Sequence, residues 1–120
     1  MKRRISLLIL IAILDPSLSH AAFRSGDGRK TVASAGTAEA IVASATSFTQ
    51  ADICAESDNT GQIAVGSTPI ATLATREGIY LDAGDCYTIS VPHGYGDLSE
   101  IKIDSTVSTD GVTFVYFREE

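Results

Sequence analysis

The chain of 120 residues has no tryptophan, one methionine and two cysteines, and its nine lysines and arginines are outnumbered by fifteen aspartates and glutamates. Each shortage closes a class of function. Nucleic acid and anionic membranes are bound by clustered Lys and Arg that neutralise phosphates, and a net charge of −6 repels both. The absent tryptophan removes the usual flat platform of a carbohydrate module, which Tyr and Phe at mostly core-facing positions do not replace. Two widely separated cysteines and, beyond residue 21, one histidine, His93, in a loop lack the close ligand pairs that structural zinc requires. No G-x-S-x-G or comparable frame stands near His93 in the sequence, so a Ser-His-Asp triad is not expected and His93 reads as a surface loop residue. Two carboxylates flanking a buried substrate would need a cleft-forming insertion, and none is visible, so no glycosidase is read here. No enzyme, cofactor or resident metal is expected.

Long apolar runs are missing too. The longest, residues 5–14, is half of the ~20 residues that a spanning helix needs, and Asp15 and Pro16 close it. It follows the basic Lys2-Arg3-Arg4 and leads to Ser19 and Ala21, the small residues of a Sec-type cleavage site. Residues 1–21 are therefore expected to be a signal peptide cut between Ala21 and Ala22, the membrane being met only through that transient segment. Beyond it the counts are six basic and fourteen acidic residues, a net charge of −8. That balance suits divalent cations or a basic protein surface without selecting either.

In an exported chain Cys54 and Cys86 can form a disulfide or remain two free thiols. A bridge would contribute ~3 kcal/mol by constraining the unfolded chain. In the alternating patterns around them both point away from the core, so pairing requires their strands to be neighbours with Cα atoms within ~7 Å.

What the sequence holds in abundance is short alternating runs broken by Asp, Asn and Gly. Residues 22–30 are polar, glycine-rich and without periodicity, and are expected to form a flexible N-terminal arm. Residues 31–34 and 37–42 read as two short strands and residues 43–48 as a connector. Residues 51–66 give the clearest local signal, with Ile53 and Ala55 facing one way before Ser57-Asp58-Asn59-Thr60-Gly61 and Ile63 and Val65 after it. They read as a hairpin. Residues 79–81 and 86–91 around Asp82-Ala83-Gly84-Asp85 read as a second, and Ser108-Thr109-Asp110-Gly111 as a third turn of the same kind. Residues 67–78 and 92–97 read as loops, the former a candidate contact surface. Ile101 and Ile103 should face the core, and residues 112–117 form the last strand.

About eight short strands and no helix beyond the signal peptide predict an all-β fold, a single antiparallel β-sandwich or jelly-roll over residues 31–120. Asp82, Asp85, Asp97, Glu100, Asp104 and Asp110 offer oxygen ligands that a calcium ion would need converged at one end, in a spacing that matches no calcium loop.

Three segments carry a resemblance: residues 53–66 with D-N-T-G before I-A-V-G, residues 78–91 with G-I-Y-L-D-A-G-D-C-Y-T-I, and residues 97–117 with D-L-S-E-I-K-I-D before T-D-G-V-T-F-V-Y-F. Together they resemble small β-sandwich proteins of tailed-phage structural gene clusters, of the head-fibre or capsid-decoration kind. The resemblance implies a non-enzymatic virion surface module that binds capsid protein, its own copies or a host-surface feature and forms a homo-oligomer. The signal peptide keeps two other classes open: a secreted bacterial surface or matrix protein assembling through strand edges, and a small secreted ligand-binding module using the 67–78 and 92–97 loops.

Overall fold

The computed structural model describes residues 23–67 and 78–119. The expected signal peptide with its Ala21–Ala22 cleavage point, and all but the ends of the expected 67–78 loop, lie outside the described residues. The described residues form ten strands: β1 (Phe23–Thr31), β2 (Glu39–Ala40), β3 (Ser47–Phe48), β4 (Gln50–Ala55), β5 (Ile63–Gly66), β6 (Ile79–Leu81), β7 (Cys86–Ser90), β8 (Gly96–Asp97), β9 (Lys102–Ser105) and β10 (Gly111–Glu119). One 3₁₀ turn, Leu98–Glu100, sits between β8 and β9.

The pairing is nested. β1 pairs with β10, β2 with β9, β3 with β8, β4 with β7 and β5 with β6, all antiparallel, so the chain is a ribbon doubled back on itself. Two further pairings, β10 with β4 and β9 with β5, join these into two four-stranded sheets, β1-β10-β4-β7 and β2-β9-β5-β6, with β3–β8 as a separate two-stranded piece. One hydrophobic cluster takes Ile53, Val112 and Phe114 from the first sheet, Ile63, Val65 and Ile103 from the second, and Phe48 from β3. Ile53, Ile63 and Ile103 are fully buried, and each such side chain removed from water contributes roughly 1.5–3 kcal/mol.

The expected hairpins are not hairpins. β4 lies in the first sheet and β5 in the second, and the same change of sheet separates β6 from β7 and β9 from β10. Each Asp/Asn/Gly turn is thus an arch between layers. Period-two alternation fixes which face of a strand is buried, and an arch buries the same residues as a hairpin would. The partner is set instead by distant segments, as where Phe114 lies opposite Ile53 and Val112 opposite Ala55.

The expected flexible arm is also corrected, for residues 23–31 are paired with β10 along their whole length, which moves the start of the β domain from residue 31 to Phe23. Gly26 faces Tyr116 and Gly28 faces Phe114, and a Cβ on either glycine would lie within 2.3 Å and 2.5 Å of those rings. The aromatic rings occupy the space that side chains on β1 would need, so a glycine-rich segment without a pattern of its own is packed by its neighbour. Of the two strands expected over 31–34 and 37–42, only Thr31, as the end of β1, and Glu39–Ala40 are extended and paired, while residues expected as connector and loop supply β3 and β8.

Two of the arches lock each other. Asn59 Oδ1 accepts from the Gly111 N–H at 2.9 Å while its Nδ2 donates to the Gly111 carbonyl at 2.8 Å. The Asp110 carboxylate accepts from the N–H groups of Thr60 and Gly61, at 3.2 and 2.7 Å. Gly111 itself has no room for a side chain, since a Cβ would meet the Lys30 carbonyl oxygen at 2.6 Å. Asn59→Ala is expected to cost about 1–3 kcal/mol in a urea titration, because it leaves the Gly111 N–H without its acceptor and takes one of two donors from the Gly111 carbonyl, which keeps the Glu56 N–H. Asn59→Asp should do no better, since its second oxygen would face the Gly111 carbonyl; an Asp variant as stable as wild type would refute this role.

Candidate interaction surface

Four connections, residues 32–38, 56–62, 82–85 and 106–110, gather at one end of the two sheets. Ala35 N–H donates to Ser108 Oγ, Gln62 N–H to Thr106 Oγ1, and Gln62 Nε2 to Asp82 Oδ1. Three acidic residues at this end bond backbone N–H groups: Asp85 accepts from the Asp82 N–H, Asp110 from Thr60 and Gly61, and Asp104 Oδ1 from Gly36 and Ser105. The chain enters β9 past Asp97 and Glu100 and leaves it towards Asp110, so the six carboxylates considered for calcium do not converge. Among the described residues no three Asp, Glu, His or Cys side chains are grouped to hold a metal ion. Asp104 is fully buried with its Oδ2 unpartnered, on the same face of the second sheet as the likewise unpartnered Tyr80 hydroxyl, the two separated by Ala64.

His93 is exposed in the loop between β7 and β8. That loop borders a shallow cleft of about 260 Å³ lined by Thr49, Val91, Pro92, Gly94, Tyr95 and Glu119, in which the Tyr95 hydroxyl donates to the Glu119 carbonyl at 3.3 Å.

Cys54 and Cys86 stand opposite each other on neighbouring strands β4 and β7, with Cα atoms 4.0 Å apart and a sulfur–sulfur distance of 2.02 Å. They form a disulfide on the outward face of the first sheet, which staples the edge strand β7 to β4. Such bridges persist in oxidising compartments, which points to an exported environment. Among the described residues no helix is long and apolar enough to cross a membrane.

The remaining surface is defined by its edges. Each sheet has two: β1 and β7 in the first, β2 and β6 in the second. β2 and β6 have two and three residues, β7 has five, and β1 has nine. On the outward face beside β1 lie Asp27 and Arg29 of β1 and Thr113 and Val115 of β10, with Val115 41% exposed. Arg29 forms a two-point ion pair with Glu56, with Nη2 to Oε2 at 2.8 Å. Sequence reasoning missed this strand entirely, and its only signal was the spacing of Gly26 and Gly28, which matches that of Phe114 and Tyr116. No family model, curated protein or solved structure matches the chain.

Two expectations follow. Replacing Cys54 and Cys86 together by serine should lower stability by ~3 kcal/mol, read as a urea midpoint shift that reductant reproduces in the wild type. The second concerns acid. The Asp97 carboxyl is held below its ordinary value of 3.8 by the Thr46 and Ser99 N–H groups and the Ser99 hydroxyl. Glu39 is held below 4.5, chiefly by the Ala33 N–H and then by Lys30. Folded values below unfolded ones mean that this stabilisation is complete above those ordinary values and is lost as pH falls from about 4 through the depressed ones. The melting temperature should therefore fall below about pH 4, and Ser99→Ala should reduce that dependence.

Proposed function

We propose that the chain is a non-enzymatic structural or surface-decoration module that works through protein–protein contacts, and that its two sheets form one jelly-roll sandwich. The two four-stranded sheets carry this reading, with the two-stranded β3–β8 piece set apart from them. Their orders, β1-β10-β4-β7 and β2-β9-β5-β6, are those made by rolling up a doubled-back ribbon. Jelly rolls serve as viral capsid domains among other roles, so the winding is compatible with the resemblance to phage head-fibre and decoration proteins without identifying a function. The observation that carries the reading is the nine-residue edge strand β1, whose outer side no described strand covers. An edge that long is a template for pairing with another chain.

The Cys54–Cys86 bridge favours a second reading of the same kind, a secreted bacterial surface or matrix protein that assembles through its strand edges. Mass spectrometry of purified virions, set against the periplasm and medium of the same host cured of prophage, separates the two. Recovery with virions is expected if the chain decorates them. Recovery only from the medium of prophage-free cells would overturn the phage reading in favour of the secreted one.

A further inference from the structure

The bare edge of β1 is specific about what it accepts. Val32 N–H donates to the Asp110 carbonyl at 2.9 Å, continuing the β1–β10 register one step past Thr31–Gly111. In an antiparallel ladder the direction of the backbone groups alternates, so the even-numbered residues of β1 bond to β10. The N–H and C=O groups of Ser25, Asp27, Arg29 and Thr31 then point away from β10, and these four residues are exposed. Pairing across this edge must set odd positions against odd positions.

We infer that β1 pairs antiparallel with β1 of a second copy of this chain, with Gly28 on the two-fold axis, so that Asp27 of each copy lies opposite Arg29 of the other. Adjacent registers of the same parity oppose Asp27 to Asp27 or Arg29 to Arg29, and like charges directly opposite are destabilising. With Gly28 on the axis both charge pairs are attractive, and both sit on the outward face. Ser25 faces Thr31 of the second copy, and about eight backbone hydrogen bonds close the edge. The Arg29 side chain is 63% exposed, and Glu56 takes its Nε and Nη2, leaving Nη1 for the incoming carboxylate. Asp27 makes no competing contact that would orient it elsewhere among those described. The product is one continuous sheet, β7-β4-β10-β1 running into its symmetry mate, with both disulfides at the far edges. This pairing rests on the reading of the chain as a module that acts through protein contacts, and it names the first such partner.

The test is light scattering behind size exclusion on the full chain, expressed for export with its native disulfide intact, over a wide concentration range. A dimer is expected, weakened about tenfold by Asp27→Lys, which turns both charge pairs repulsive without touching the β1–β10 ladder. Register is read by cysteine cross-linking. The double variant Ser25→Cys, Thr31→Cys should oxidise to a covalent dimer, while each single variant should not, because the two positions face each other and not themselves. A chain monomeric at every concentration, a dimer indifferent to Asp27→Lys, or cross-linking by either single variant would overturn the proposal. A monomer that still co-purifies with virions or the cell surface would overturn the edge pairing and leave the broader functional reading intact. A dimer with the predicted cross-link but no particle or surface association supports the pairing and removes that broader reading.

Discussion

The bonding of β10 on both of its edges is the constraint on which the first sheet depends, because it alone joins β1 to the β4–β7 pair. Its even positions bond to β1 and its odd positions to β4, while Val112, Phe114 and Tyr116 face inward to the shared core. Two of those side chains work in both directions. Phe114 is opposite Ile53 on one side and lies across Gly28 on the other, so one ring closes the core and supplies the packing that β1 lacks. The last strand in the sequence thus holds the first, and the nested pairs between them make nearly every ladder long-range. Loop closure must precede those contacts, which is the physical reason such topologies fold slowly.

A ribbon rolled into two layers needs its sheet-to-sheet connections fixed, since no hairpin bonding defines them locally. Here the fixing is done by the side chains that a sequence reader assigns to tight turns. Asn59 presents an amide that mimics a strand neighbour to Gly111, and Asp110 returns the contact to Thr60 and Gly61, so the β4–β5 and β9–β10 arches are bonded to each other. At the other end Asp97 does related work alone, accepting from Thr46 and Ser99 to tie the segment before β3 to the turn before β9. The acidic excess of the chain is in this way partly structural, which removes several carboxylates from consideration as ligands.

These roles explain what could be read in advance. Which way Ile53, Ala55, Ile63, Val65, Ile101, Ile103 and Cys54 face was legible, because alternation is a property of adjacent residues. The all-β class followed from the same pattern. Strand partners were not legible, since an arch and a hairpin present identical alternation and similar turn residues. The disulfide shows the division: the outward faces of Cys54 and Cys86 could be read, but the adjacency of β4 and β7 that brings their Cα atoms to 4.0 Å could not. β1 was hidden for a different reason. Glycine at positions 26 and 28 signals freedom in isolation and close packing only when Phe114 and Tyr116 are known to lie opposite.

The four edges of the two larger sheets are handled differently, and the proposed pairing rests on those differences. β2 and β6 are too short to template a partner, and β7 is short and stapled by the disulfide. β1 alone is long, and among the described residues it carries alternating charge instead of a bulge, a proline or a cover. Charge on an edge strand ordinarily keeps other strands away. On this one the signs are opposite at positions two apart, so the repulsion that excludes neighbouring registers becomes attraction in the register centred on Gly28. An edge protected by a single sign would refuse every copy of itself; the Asp27–Gly28–Arg29 sequence refuses the wrong alignments and leaves one that satisfies both charges.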